Sequence, residues 1–324
     1  MACSLVYGRL RLFLSILLIA TLGCTSPPTQ VNPKLPADFG QVFVSGENLS
    51  GYIDIRQEPS FTVATNLFGG SDKLSLPSGI SLKRFSLASR ARNTSITGKI
   101  ELADHSVSPH LETLLSENPT RSVIRNQETL TFVQGSNSWS SNPLGLGERQ
   151  ESFSLSKEYP DVWTLFQWMP ASPPAEPIAA GFVSVEDFTL ETWTNQAKLE
   201  LQGLTQVLST IHVANVAFVV YSDSPLNIGK SIDHGRYDTE DISAMVVMKS
   251  AYPGFLLSFF LNNFADRVGL EKHSGTFDEE VFILKNETAN ILVKPIGSTL
   301  FLALGPDQDT VTMLISSILS QQIR

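Results

Sequence analysis

Short apolar or alternating stretches dominate the hydrophobic pattern of this chain, and such stretches are typical of strands. The clearest is 96–102, where Ile96, Gly98 and Ile100 alternate with polar residues, as expected of a half-buried strand. In the second half of the chain the pattern predicts strands at 178–183, 213–221, 242–248, 281–284, 291–294 and 300–304. In the first half it predicts strands at 41–44, 82–87, 96–102, 123–124 and 130–133.

In other segments the apolar residues recur every three or four positions, which is the period of a helix packed on one side. On this basis helices are predicted over 184–208, after Pro253 and over 307–321. If the first half of the chain follows the same order of elements, its helices lie around 50–68, at 109–116 and around 161–169. Elements of both kinds therefore alternate along the chain. This order predicts an α+β fold in which helices pack on antiparallel sheets.

The helix after Pro253 differs from the others. Its inner stripe is predicted to hold Leu256, Phe260 and Phe264. Because Phe255, Phe259 and Leu261 lie off that stripe, the helix is apolar nearly all round. Such a helix is either buried on two sides or exposes an apolar patch to a partner or a lipid.

A proline-rich stretch divides the predicted elements into two groups. Four of the eight residues at 170–177 are proline, which ends any helix and is typical of a linker. The predicted domains are therefore 38–169 and 178–324, and their similar order of elements predicts two similar tandem subdomains. The alternative is one continuous α+β domain with a proline loop on its surface.

Composition and charge exclude some classes of protein and of partner. The chain has 324 residues, of which 17% are charged, and a formal net charge of -9. A length and composition of this kind are those of a folded protein, and they argue against a disordered one. Lys and Arg form no run, so nucleic acid is not an expected partner.

The N-terminal residues 1–23 predict an export signal. Arg9 and Arg11 precede an apolar stretch from residue 12 to residue 22, with no acidic residue among them. As a helix this stretch is about 16 Å long, too short for a bilayer core of about 30 Å. The segment is therefore expected to be removed.

The end of this signal, Ala20-Thr21-Leu22-Gly23-Cys24, resembles the lipobox of bacterial lipoproteins. The resemblance implies cleavage after Gly23 and a diacylated Cys24 at the new N-terminus. It also implies a protein held by lipid on the extracytoplasmic side of a bacterial membrane, in the cell envelope. Residues 24–37 hold four prolines and would form a tether between the lipid and the body. The alternative is an ordinary secretory signal followed by an incidental cysteine.

Cysteine content supports the lipoprotein interpretation. Cys3 lies in the removed segment, so Cys24 is the single cysteine of the mature chain and cannot form an internal disulfide. Removal of Arg9 and Arg11 leaves 21 basic and 32 acidic residues, a net charge of -11. An anionic membrane surface would repel such a body, so the membrane is expected to be a partner through the lipid on Cys24.

Candidate chemistry is confined to an acidic segment, 233–241. Asp233, His234 and Asp238 could bind a divalent cation through their oxygen and nitrogen atoms. However, the acids lack the spacing of a calcium loop, and Arg236 would oppose the cation, so a solvated loop is the favoured interpretation. The Gly-x-Ser-x-Gly motif of hydrolases is absent, so no catalytic residue and no cofactor are predicted.

The sequence therefore favours a membrane-anchored extracytoplasmic lipoprotein that acts by binding, as an accessory or ligand-capturing module without catalysis. One alternative is an envelope hydrolase that uses His234 with Asp233 or Asp238. Another is a lipid or lipoprotein carrier with an apolar cavity. An enzyme predicts a cleft with convergent polar groups, and a carrier predicts a dry cavity of several hundred Å³, on the order of a ligand pocket.

Overall fold

The structure, a computed structural model, describes most of the predicted strands and several helices. The described residues are 33–36, 38–39, 49–63, 80–90, 96–117, 121–126, 128–134, 155–184, 213–223, 242–264, 270–273, 281–285 and 290–322. Statements about the fold concern these residues.

One antiparallel sheet contains all twelve strands of the described part of the chain. In chain order the strands are β1 (Leu49–Val63), β2 (Ile80–Arg90), β3 (Ile96–Leu102), β4 (Arg121–Asn126), β5 (Thr129–Gln134), β6 (Pro177–Ser184), β7 (Val213–Tyr221), β8 (Ser243–Ser250), β9 (Glu271–His273), β10 (Val281–Lys285), β11 (Asn290–Ile296) and β12 (Thr299–Gly305). Across the sheet they lie in the order β4-β5-β3-β2-β1-β6-β7-β8-β12-β11-β10-β9.

Five α-helices in the same residues pack on this sheet. They are α1 (Ser108–Ser116), α2 (Leu155–Glu158), α3 (Pro160–Phe166), α4 (Gly254–Phe264) and α5 (Gln308–Gln322). Local chemistry explains their starts. Proline lies in the first turn of α1 and of α3, where its missing N–H costs no hydrogen bond. At α5 the Asp307 carboxylate accepts a hydrogen bond of 2.7 Å from the Thr310 amide.

The predicted fold class, α+β with two similar tandem subdomains, is wrong. A single continuous sheet dominates the fold, and its helices are few and mostly short. The sheet does not break at the proline-rich stretch, because β6 pairs with β1 on one side and with β7 on the other. Pro177 is the first residue of β6, a position where a strand tolerates proline. The domain boundaries at 38–169 and 178–324 remain a prediction.

The helix predicted around 50–68 is also wrong, because 49–63 forms β1. Tyr52 and Asp54 face one side of the sheet, whereas Ile53 and Ile55 face the other, so the period is two. The sequence of β1 does not show the alternation of apolar and polar residues expected of a half-buried strand, because its more deeply buried side carries the charged residue Asp54 in place of an apolar one.

The other predicted elements of the described residues are confirmed, with small differences at their ends. They are the strands at 82–87, 96–102, 123–124, 130–133, 178–183, 213–221, 242–248, 281–284, 291–294 and 300–304, and the helices at 109–116, 161–169, after Pro253 and at 307–321. The strand predicted at 41–44 and all but the first residue of the helix predicted over 184–208 lie outside the described residues; Ser184 itself ends β6.

The two faces of the sheet carry separate cores. We call the side that bears Tyr52, Ala217 and Phe301 the front face; α2, α3 and α5 pack on it. We call the opposite side, which bears Phe85 and Leu300, the back face. Its core has two clusters, one beneath α1 at the β2–β5 end of the sheet and one beneath α4 at the β8–β12 end.

The last residues of the predicted tether contact the front face. The Lys34 amide donates a hydrogen bond of 3.3 Å to the Pro170 carbonyl, and its ammonium lies 2.6 Å from a Glu176 carboxylate oxygen. Leu35 packs against the front-face core, as does Phe39, whose ring meets the Tyr52 ring edge-on at 5.3 Å. We call residues 33–36 and 38–39 the N-terminal clasp.

Candidate functional site

Most residues predicted to carry function lie outside the described residues. This applies to the lipidation candidate Cys24 and to the metal candidates Asp233, His234 and Asp238. Within the described residues, no group of three or more His, Cys, Asp or Glu side chains could hold a metal ion. The described part of the chain instead offers two features, an exposed pair of aromatic rings on α4 and a buried carboxylate in β1.

Two phenylalanine rings are exposed side by side on α4. Phe255 and Phe259 are one turn apart and keep 61% and 59% of their surface accessible. By comparison, the other large exposed apolar side chains of the described residues, Ile124 and Met313, keep 39% and 45% and lie on β4 and α5. We call Phe255 and Phe259 the aromatic face.

The opposite side of α4 holds the helix on the sheet. Leu257 and Leu261 are buried in the back-face core, with 0% and 1% exposure. Phe260 packs against this core, as predicted, but Leu261, which the predicted inner stripe leaves out, is buried, and Leu256, which that stripe includes, is only partly buried. In a segment that is apolar nearly all round, the pattern alone cannot fix the inward face.

A close backbone contact fixes the start of α4. A Cβ atom built on Gly254 would lie 2.5 Å from the carbonyl carbon of Gly297, in the turn between β11 and β12. Glycine is therefore required for α4 to approach this turn. The first turn of the helix, which carries Phe255, is positioned by backbone rather than by flexible side chains.

The aromatic face has no charged neighbour on its own helix. All 11 residues of α4 are uncharged, and the polar ones are Ser258, Asn262 and Asn263. The Asn263 side-chain amide donates a hydrogen bond of 2.7 Å to the Phe259 carbonyl. Phe259 also meets Phe260 edge-on at 6.1 Å, which supports its ring from one side. The surface suits an apolar, uncharged partner.

A carboxylate is buried on the front face of β1. Asp54 has no exposed surface and accepts hydrogen bonds from Arg84 at 2.7 and 3.0 Å. It also accepts from Arg56 at 3.0 and 3.4 Å, from the Ser86 hydroxyl at 3.3 Å and from the Tyr52 hydroxyl at 3.2 Å. We call these five residues the Asp54 cluster.

Strand register explains why the Asp54 cluster forms. Arg56 and Arg84 are directly opposite each other in the β1–β2 pair, where two like charges would repel. Asp54 lies between them and neutralises part of that charge. Further along the same face, Glu101 lies 3.9 Å from Arg84 and 3.0 Å from Lys99, so the front face becomes polar beyond the helices.

Burial and charge shift the pKa values in this cluster. Burial, and then the charge of Asp54, raises the pKa of Tyr52 above its usual range. Burial lowers the pKa of Arg84, but the hydrogen bonds and charge of Asp54 outweigh that effect and raise it overall. Both side chains therefore stay protonated at neutral pH. Hydrogen-bond donors of the protein already surround the Asp54 carboxylate. We therefore assign the Asp54 cluster a role in stabilising the sheet.

A buried hydroxyl remains unpaired on the front face. The Tyr221 hydroxyl has no hydrogen-bond partner within the residues that the structure describes. Burial raises the pKa of Tyr221 above its usual range, so the ring stays neutral.

The described tryptophans belong to the core. Trp168 is buried, and its ring meets Phe301 edge-on at 5.2 Å; Trp163 packs against Phe166 at 6.4 Å. The Trp168–Phe301 contact packs the turn after α3 onto β12, whereas the Trp163–Phe166 contact lies within α3. Trp139 and Trp193 lie outside the described residues.

None of the helices within the described residues is both long enough and apolar enough to span a membrane.

Comparisons with known proteins identify no family. The chain matches no protein-family description, and no curated protein matches its sequence. A solved structure described as crystal form I of TP0453 is similar over 90% of this chain and 99% of that one, with a TM-score of 0.35 and 10% identical residues. A likeness at this level assigns no function to the chain.

Proposed function

We propose that this protein is a lipid-anchored extracytoplasmic module of a bacterial envelope that acts by binding an apolar partner through the aromatic face of α4. Lipid on Cys24 would supply the anchor, and the aromatic face would supply the contact. The observation that carries the proposal is the exposure of Phe255 and Phe259 at about 60% each, on a helix without charge. Two adjoining exposed rings form one contiguous apolar patch, whereas single exposed apolar residues are normal on a protein surface.

The size of the aromatic face argues for weak binding that an anchor would assist. An aromatic side chain contributes 150–250 Å² when buried, so two rings about 60% exposed offer about 240 Å². A stable interface buries about 800 Å² on each partner, so the two rings would form only its centre. Confinement to a membrane raises the local concentration of both partners and compensates for a small contact.

Photo-crosslinking in intact envelopes tests this function. The photoreactive residue p-benzoylphenylalanine is placed at position 259, where it preserves the aromatic ring, and the cells are irradiated before they are opened. We expect a discrete adduct that disappears when Phe255 is also replaced, as Phe255→Ser. The same residue at position 313, an exposed apolar position on α5, is the matched control and should give no adduct of that size.

Equal labelling at positions 259 and 313, or no adduct at position 259, would contradict a binding role for the aromatic face.

A further inference from the structure

β4 forms one edge of the sheet in the described part of the chain. It pairs with β5 from Arg121 to Asn126 without any shift in register, and no other described strand lies beside it. Ser122, Ile124 and Arg125 are exposed, as is Asn126 at the end of the strand. The outer side of β4 is therefore accessible along most of its length.

The direction of the backbone groups of β4 follows from one hydrogen bond in the neighbouring strands. The Leu102 amide of β3 donates to the Glu128 carbonyl at 3.1 Å, so Glu128 faces β3. The residue after Glu128 is opposite Asn126 and turns its backbone groups the other way, towards β4. Because this direction alternates along a strand, the N–H and C=O groups of Val123 and Arg125 point away from β5, towards the open side.

The arginine side chains of β4 do not protect its edge. Proteins commonly shield an edge strand with a proline, a bulge or a charged side chain. β4 contains no proline, its register is unbroken, and α1 holds both of its charges. The Arg121 guanidinium donates to the Leu115 carbonyl at 3.2 Å, and the Arg125 guanidinium lies 3.3 Å from a Glu112 carboxylate oxygen.

The front side of β4 carries uncharged side chains. Val123 packs in the back-face cluster beneath α1, so the residues that alternate with it face the front. They are Ser122, Ile124 and Asn126, and Ile124 keeps 39% of its surface accessible. An accessible, unbroken edge of this kind is suited to adding a strand from another chain.

The sequence of β4 is self-complementary in one antiparallel register. Two symmetric registers overlap all but one residue of the strand with a second copy. The register centred on residue 123 places Arg121 opposite Arg125, where like charges repel. The register centred on Ile124 places Ile124 opposite itself and Ser122 opposite Asn126. It also places each Arg125 opposite an uncharged residue, so only this register combines apolar and polar matches without opposed charges.

We infer that β4 binds β4 of a second copy of this chain, antiparallel and centred on Ile124, so that two sheets join edge to edge. In this pairing Val123 of each copy exchanges backbone hydrogen bonds with Arg125 of the other, and the two Ile124 side chains meet on the front face. The contact is small, and confinement of both copies to one membrane would favour it. The inference does not depend on what the aromatic face of α4 binds.

Disulfide trapping of the full chain in isolated envelopes tests the pairing and its register. In the inferred register the two Ile124 Cα atoms lie about 4.5 Å apart, a separation that a disulfide can bridge. Ile124→Cys should therefore give a disulfide-linked dimer on mild oxidation. Ser122→Cys is the matched control on the same side of the strand. It should give no such dimer, because the two copies of residue 122 lie about 13 Å apart along the strands.

Two further chains complete the test. Ser122→Cys combined with Asn126→Cys should restore the dimer, because these positions are opposite each other in the inferred register. The parent chain, which keeps Cys24 as the single cysteine of its mature form, measures any crosslink through that residue. Because Ile124 is exposed, Ile124→Cys should melt at the temperature of the parent.

The pairing would be overturned if Ile124→Cys gave no more dimer than the parent chain. Equal dimer from Ile124→Cys and Ser122→Cys would reflect random collision and would overturn the register. A mixed disulfide between Ile124→Cys and a different protein, in place of the dimer, would show another occupant at this edge and would also overturn the inference.

Discussion

At the scale of single residues, Asp54 has the largest predicted effect on stability. It is a buried carboxylate between two arginines that are directly opposite each other on adjacent strands. Removal of one partner from a buried ionic cluster is far more costly than loss of a surface ion pair, because it leaves uncompensated charge in a poorly solvated site. The stability lost when a charged side chain is removed should therefore depend on how deeply that side chain is buried, not on how many charges it contacts.

Asp54→Asn should lower the free energy of unfolding by about 3–5 kcal/mol, because Arg56 and Arg84 then lie close together without the buried charge between them. The measurement is chemical denaturation of the purified body. Glu101→Gln is the matched control: Glu101 is about a quarter exposed and binds the same arginine at a longer distance. Its loss should stay below about 1 kcal/mol. Equal losses for the two variants would show that Asp54 is not the centre of the cluster.

Tyr221 and Tyr52 provide a second contrast between buried side chains of the same type. Tyr221→Phe removes a hydroxyl that has no described partner, so the free energy of unfolding should stay constant or rise by about 1 kcal/mol. Tyr52→Phe removes a hydrogen bond to the Asp54 carboxylate and should lower it by about 1.5–3 kcal/mol. A marked loss for Tyr221→Phe would mean that its hydroxyl has a partner outside the described residues.

Little of the Asp54 cluster could be predicted from the sequence. Its members alternate along β1 and β2, and charged residues at alternate positions are also typical of a solvated strand face. Only strand register brings Asp54 opposite Ser86 and Arg56 opposite Arg84, and register is a long-range property that a local pattern does not contain.

At the scale of elements, α4 combines a buried side that stabilises the fold with an exposed side that does not. Leu257→Ala should lower the free energy of unfolding by about 2–5 kcal/mol, because it leaves a cavity beneath the helix. Phe255→Ser, on the exposed side, should change it by about 0.5 kcal/mol or less. Thermal or chemical unfolding of both variants checks the difference. A large loss for Phe255→Ser would mean that the aromatic face belongs to the core.

The sequence predicted the character of α4 but not its orientation. An uncharged helix after Pro253, apolar nearly all round, was expected and is confirmed. The inward face was predicted only in part: Phe260 packs against the core, but nearly every position could serve as the core side, and packing against β11 and β12 selects Leu257 and Leu261. Strands with clear apolar runs, such as β7 and β12, were predicted well, because apolar residues on both of their sides pack into the cores of the two sheet faces and the run is visible in the sequence alone.

At the scale of the whole molecule, the sheet joins both halves of the chain. The 170–177 prolines suggested a break, but three of them lie in the connection before β6, the fourth is its first residue, and β6 itself lies between β1 and β7. Strand order across such a sheet depends on pairings between residues distant in sequence, so a linear order of elements could not predict it. The clasp ties the start of the body to this central region through Lys34 and Phe39.

In the proposed function, lipid on Cys24 holds this body at a membrane while α4 binds a partner. Mass spectrometry of the N-terminal peptide, from protein isolated with the membrane fraction, tests the anchor most directly. We expect a mature chain that begins at Cys24 and carries a diacylglyceryl group on its sulfur. A mature chain with an unmodified Cys24 thiol, or one that begins at another residue, would contradict it.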